Sequence, residues 1–196
     1  MKKIYLASSS PRRKELLRQL IGDHFEIIKS NYEEDNSLDM SPVDLVLHHS
    51  IEKGRDAVKS LNEGIVISAD TLVLFNNKVL GKPHTAKNAR TFLKELSGKN
   101  IEVLTGYSLI DAETKQEVQG YEITKVKIGN LTDSLIDAYI KTGEPLDKAG
   151  AFGIQGKGVV IVEKIEGCYF NVVGLPLYRL NEALEKLGFS VFDFNS

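Results

Sequence analysis

The stretch from Ile65 to Leu80, IVISADTLVLFNNKVL, decides how the chain is read. Residues 65–75 form a run rich in β-branched, aliphatic and aromatic side chains, which predicts a strand. Asn76-Asn77 then supplies a tight turn, because asparagine tolerates the left-handed backbone such turns need, and KVL returns as a second strand. One residue breaks the apolar pattern. Asp70 carries a carboxylate that is costly to desolvate unless it ends a strand, meets a cation or binds a metal. Lys82, in GKP, follows closely, and the turn brings the strand that leads to it back alongside. Taken singly, Lys82, Lys53 and Glu33 read as surface side chains.

Working outward, KIYLA (3–7) predicts a short strand, followed by serines and a helix that opens at Pro11 with Ser10 as its cap. Leu16, Leu17, Leu20 and Ile21 recur at helical spacing, and Gly22 supplies a stop. HFEII (24–28) reads as a strand, and residues 30–40 as an acidic loop carrying Glu33, Glu34, Asp35 and Asp39. Ser41-Pro42 starts a helix whose apolar stripe is Val43, Val46, Leu47, Ile51, Val58 and Leu61, with Lys53 at its edge and His48-His49 on a solvated face. A helix over 85–96, two paired strands within 101–128 joined around Glu113 to Gln116, a helix around Leu135 to Ile140, a strand VVIVEKI (159–165) and a helix from Pro176 complete the pattern. Tyr169, Phe170 and Tyr178 read as core. Strands and helices alternate without repeat or linker, so the fold class is α/β with a mixed sheet.

Composition narrows the function. The chain has 196 residues, 42% hydrophobic and 27% charged, enough for a proper core without staples. Its net charge of −2 gives no field for a nucleic-acid backbone. Cys168 is the sole cysteine, which excludes an intrachain disulfide framework and a multi-thiolate zinc site and fits a cytoplasmic setting. His24, His48, His49 and His84 form no metal-binding motif. No apolar run approaches membrane-spanning length, so no membrane role is expected.

Two further segments carry chemistry. SSSPRRKELL (8–17) puts Arg12, Arg13 and Lys14 in a first helical turn, where cations oppose the helix dipole by roughly 0.3–1 kcal/mol each. An anion relieves that conflict, and with the hydroxyls of Ser8, Ser9 and Ser10 the arrangement suits a phosphate or triphosphate. A serine-capped surface helix with solvated arginines is the competing reading. GEPLDKAGAFGIQGKG (143–158) has closely spaced glycines that admit a ligand to the backbone, and Gln155 offers a donor and an acceptor to a base edge. It lacks the GxGxxG pattern of a dinucleotide site, and glycines before a strand also serve turns.

In order along the chain, LASSSPRRKELL (6–17), Glu33-Glu34, Lys53, ISADT (67–71), LGKP (80–83), LSG (96–98), LTG (104–106), GEPLDKAGAFGIQG (143–156) and YFNVVGLP (169–176) resemble the Maf family of nucleoside triphosphate pyrophosphatases over nearly the whole length. The resemblance implies one domain over residues 1–196, with two lobes around a central cleft in the inosine triphosphate pyrophosphatase-like fold. It implies hydrolysis of a nucleoside triphosphate to monophosphate and pyrophosphate with a divalent cation, Mg²⁺ or Mn²⁺, whose ligands stay unassigned; Asp70 and Glu33 are the nearest candidates. Asp70 matches the catalytic proton acceptor, and Ser8, Arg12, Glu33, Lys53 and Lys82 match other active-site positions. Arg13, Thr71 and Gln155 match positions that set base preference, in the combination that goes with dTTP and UTP; CTP and modified pyrimidine nucleotides are further candidates. The oligomeric state is open between monomer and homodimer. The rival expectation is a non-catalytic regulator of septum formation that senses a nucleotide or nucleic acid.

Overall fold

Strand β3 (Ile65–Phe75) is buried along its whole length except at the half-buried Thr71. Asn76 and Asn77, at φ +50° and +61°, make the tight turn, and β4 (Lys78–Leu80) returns antiparallel with Lys78 opposite Phe75. Two successive positive φ values suit the right-handed twist of a hairpin, and asparagine reaches them at low cost. These features come from a computed structural model that describes residues 2–194.

The sheet is seven-stranded and mixed. With β1 (Ile4–Leu6), β2 (Phe25–Ile27), β5 (Asn100–Asp111), β6 (Glu117–Ile128) and β7 (Val162–Glu166), its order is β2-β1-β3-β5-β6-β7, and β4 pairs with β3. β1 runs parallel to both β2 and β3, whereas β7 is antiparallel to β6. Six α-helices accompany it among the described residues: α1 (Pro11–Ile21), α2 (Pro42–Val58), α3 (Ala86–Leu96), α4 (Asp133–Lys141), α5 (Tyr169–Val173) and α6 (Leu177–Lys186). None is long and apolar enough to cross a membrane. The helix starts follow the sequence signals, since Ser10, Ser41, Thr85 and Thr132 each accept a backbone N–H three residues on.

The chain divides into two units. The first takes the chain up to Thr71, then Thr105–Glu122, then the chain from Gly174 onward; the second takes Leu72–Leu104 and Ile123–Val173. In the first, α1 packs against α6, and Leu6, Leu17, Ile21, Ile67, Leu109, Leu180 and Leu184 are fully buried or nearly so. In the second, α3 packs against α4 over Phe75, Leu93, Leu96, Ile101, Ile128, Ile136 and Phe152. Each such side chain contributes roughly 1.5–3 kcal/mol of burial.

Three local expectations are corrected. Helix α2 buries Leu45, Val46, His49, Ser50, Lys53, Gly54 and Ala57, so its inner face is rotated away from the predicted stripe; Val43, Leu47, Ile51 and Val58 are only half-buried, and His49 is fully buried. Close approach decides the phase. Ser68 Oγ donates to the Ser50 carbonyl at 2.6 Å, and a Cβ added at Gly54 would come within 2.7 Å of Ser68 Oγ. A Cβ at Gly106 would strike the Val46 carbonyl, so small residues on both sides seat the helix. Residues 159 and 160 lie in a 3₁₀ turn, Gly156–Val160, with their side chains exposed, and the strand starts only at Val162. Tyr169 and Tyr178 are exposed rather than core.

Candidate active site

Side chains alternate along a strand, so Ser68 and Asp70 share one face of β3. Ser68 holds α2, and one helical turn on from Ser50 the same helix presents Lys53. Its Nζ lies 2.7 Å from Asp70 Oδ1, with both side chains almost wholly buried. Of the three environments open to Asp70 from sequence, the structure supplies the cation. Asp70 Oδ2 is also buried and has no hydrogen-bond partner. A carboxylate with one oxygen neutralised and the other free is equipped to take a proton or bind a cation.

Lys53 meets a second carboxylate, Glu34 Oε1, at 2.5 Å. Glu34 comes from the acidic loop, as predicted for that segment, but the sequence reading favoured its neighbour Glu33, which is exposed here. The loop is laced to α2. Asp56 Oδ2 accepts the Asn31 backbone N–H at 2.7 Å and the Ser30 hydroxyl at 3.3 Å, and the Tyr32 hydroxyl shares a 2.8 Å hydrogen bond with His49 Nδ1. Burial pushes the His49 imidazole towards its neutral form, while the nearby Asp70 carboxylate pulls the other way.

At the start of α1, Ser8 Oγ accepts the Ser10 N–H at 3.2 Å and Ser10 Oγ accepts the Arg13 N–H at 3.4 Å, so both hydroxyls shape the turn that presents Arg12. Arg12 is half-buried. Arg13 points elsewhere: its Nε donates to the Gly174 carbonyl at 2.8 Å and its Nη2 to Thr71 Oγ1 at 2.9 Å. Thr71 Oγ1 in turn shares a 2.9 Å bond with Thr105 Oγ1. Burial lowers the Arg13 pKa, and the charges of Asp70 and Glu34 oppose that shift. The first unit holds Ser8, Arg12, Arg13, Lys53, Asp70 and Thr71, joins Lys53 to Asp70 and Arg13 to Thr71, and adds Glu34, His49 and Thr105, which sequence reasoning did not single out. Only the acidic loop and the LTG segment hinted at them.

Lys82 and Gln155 belong to the second unit. Lys82 is exposed between β4 and α3, and Gln155 is half-buried. Their segments are tied together, since the Gly150 N–H donates to the Gly81 carbonyl at 3.2 Å and the His84 N–H to the Leu146 carbonyl at 3.3 Å. Glu144 is the hub of the glycine segment: its carboxylate accepts the Lys157 N–H at 2.9 Å, the Gly158 N–H at 3.0 Å and the Tyr139 hydroxyl at 3.1 Å. The Tyr139 oxygen also accepts the Gly153 N–H at 3.2 Å. The backbone on either side of Gln155 is therefore fixed.

No group of three or more His, Cys, Asp or Glu side chains able to hold a metal occurs among the described residues. Asp70 and Glu34 do offer oxygen donors, one of them an unpartnered buried atom. That set fits a Mg²⁺-like ion, which takes one or two carboxylates and fills its remaining positions with phosphate oxygens and water.

The sequence matches the Maf-like protein family over residues 3–187. It is 54% identical to a dTTP/UTP pyrophosphatase of Methanosarcina mazei over 98% of both chains, and 52% identical to one of Methanosarcina barkeri with the same coverage. A dTTP/UTP pyrophosphatase of Acetivibrio thermocellus is 48% identical, covering 97% of this chain and 98% of that one. Among solved structures, the HAM1 protein of Coxiella burnetii is similar in fold, with a TM-score of 0.54 at 16% identity over 95% of this chain and all of that one. Fold, ordered motifs and relatives agree, and the chain belongs to the Maf-like protein family.

Proposed function

We propose that the chain is a nucleoside triphosphate pyrophosphatase that converts dTTP and UTP to the monophosphate and pyrophosphate. The observation that carries the reading is Asp70, buried in β3 with Oδ1 on Lys53 and Oδ2 unpartnered. The names of the relatives supply the substrate class.

In this mechanism water attacks the α-phosphorus in line with the bridging oxygen, and Asp70 Oδ2 accepts its proton as the new P–O bond forms. The bond from the α-phosphorus to that oxygen breaks, and pyrophosphate departs with the electron pair. Lys53 holds Asp70 Oδ1 in place and leaves Oδ2 as the free oxygen that acts as the base. Arg12, Lys53 and Lys82 neutralise phosphate charge, since phosphoryl transfer depends chiefly on positioning and electrostatics. Ser8 helps shape the anion-binding turn, and Gln155, Thr71 and Arg13 discriminate the base. Glu34, with Glu33 beside it, would hold Mg²⁺ or Mn²⁺ next to Asp70, and the ion would supply positive charge to the phosphate oxygens when bound. The same proposal places the enzyme in the cytoplasm, acting on free nucleotides, where a lone thiol stays reduced.

The test is a panel of dTTP, UTP, CTP and GTP with Mg²⁺ or Mn²⁺, read separately for pyrophosphate and orthophosphate. Pyrophosphate release from dTTP and UTP is expected, and Asp70→Asn lowers it by at least about a hundredfold with the fold intact. Turnover near the parent rate in that variant overturns the assignment of the base. Tight nucleotide binding without turnover in the parent overturns the enzymatic reading.

A further inference from the structure

Histidine 49 is fully buried, yet only one of its ring nitrogens is satisfied: Nδ1 meets the Tyr32 hydroxyl at 2.8 Å, and Nε2 has no partner. An aliphatic side chain would fill that space without an orphaned polar atom, so packing alone does not account for an imidazole there. Its place on α2 does. His49, Lys53 and Asp56 lie on successive turns of the helix, and each receives one point of the acidic loop: Tyr32, Glu34, and Ser30 with Asn31 respectively. The loop has no regular structure of its own over residues 28–35. Its conformational freedom must be removed by such ties before Glu34 can hold one position.

We infer that the Tyr32–His49 hydrogen bond is a latch that positions Glu34 on Lys53, making Tyr32 and His49 positioning residues for the reaction. This rests on the pyrophosphatase reading for its kinetic consequences, but not for its structural ones. Without the latch the loop stays tied at Asp56, while Glu34, two residues beyond Tyr32, loses its fixed approach to Lys53. Groups that touch the base are unaffected, so the loss falls on kcat with dTTP and leaves KM nearly unchanged.

Tyr32→Phe removes one oxygen and keeps the ring. It is expected to lower kcat about tenfold, the effect of one lost hydrogen bond. Its thermal midpoint should stay within about 2 °C of the parent. Glu34→Gln should show a loss of the same kind, and Tyr32→Phe added to Glu34→Gln should cost nothing further, because both act through one contact. His49→Asn, whose amide stands where Nδ1 stands, should recover most of the activity lost in His49→Ala. If His49→Ala fails to fold, the Tyr32→Phe pair of measurements decides alone. Hydrogen exchange provides a readout free of catalysis: the amide of residue 32, held on Ser30 Oγ, should exchange at least about tenfold faster in Tyr32→Phe, with the Asn31 amide, held on Asp56, and the rest of the chain unchanged. Parent-like exchange of the residue 32 amide, parent-like kcat in an active enzyme, or additive losses with Glu34→Gln each overturn the latch. A parent protein that releases no pyrophosphate sinks the proposed function instead, and the exchange result then decides the latch by itself.

Discussion

Lysine 53 stands between two carboxylates, the buried Asp70 and the largely exposed Glu34, and the first would be costly to leave alone. Breaking a buried ion pair by removing one partner strands a charge, at a cost of about 3–5 kcal/mol. The pair therefore fixes Asp70 in one position as much as it stabilises the fold. Gln155 has a different part. Its amide offers a base edge both a donor and an acceptor, whereas Arg12 and the lysines offer donors only. Gln155→Ala is expected to change the ratio of kcat/KM between dTTP or UTP and CTP or GTP by about tenfold, with pyrophosphate affinity little altered. Equal losses on all four nucleotides would remove Gln155 from base reading. Asp70 was legible in the sequence because polarity interrupts an apolar run at one place. Glu34 was not, because choosing between Glu33 and Glu34 depends on the path of a loop, which adjacent carboxylates in a chain do not reveal. Tyr32 stayed hidden for the same reason.

At the scale of elements, α2 shows where hydrophobic periodicity misleads. Large apolar side chains mark one stripe, but the sheet accepts the face that can come closest, and Gly54 and Ser50 meet Ser68 there. That phase carries His49 and Lys53 inward, so their burial was illegible until packing was known. The β3 turn, by contrast, was legible to the residue, since few residue types tolerate its φ values. The glycine segment of 143–158 owes its shape to Glu144. Burial alone would raise the Glu144 pKa, but the N–H groups of Lys157 and Gly158 and the Tyr139 hydroxyl outweigh it and hold the carboxyl below its ordinary value of 4.5. A depressed folded value means the stabilisation is complete above about pH 4.5 and is lost as pH falls through the folded pKa. Thermal midpoints measured from about pH 6 down to pH 3 should therefore fall more steeply in the parent than in Glu144→Gln, which is less stable at neutral pH. Parallel curves would show that Glu144 does not clamp the segment.

For the whole molecule, the α/β class was legible from the alternation of strands and helices, whereas two lobes were expected only from the family resemblance and the places where the chain passes between units were not marked. Three of the four crossing points, at 71/72, 104/105 and 122/123, fall inside β3, β5 and β6, where no linker composition marks them. The first unit is consequently discontinuous in sequence and needs the chain from Gly174 onward for α6 and for the carbonyl that Arg13 holds. A chain ending at Val173 loses buried Leu177, Leu180, Ala183 and Leu184. It should show no cooperative thermal transition for α1 and β1 by hydrogen exchange, and no pyrophosphate release; a folded, active truncation would contradict this.

The Arg13–Gly174 bond joins residues 161 positions apart. During synthesis at about 5–20 residues per second, Arg13 waits on the order of ten to thirty seconds for its partner to be made. The turn that carries Arg13 is thus made long before the carbonyl that anchors it, and a translation product interrupted between the two lacks that anchor.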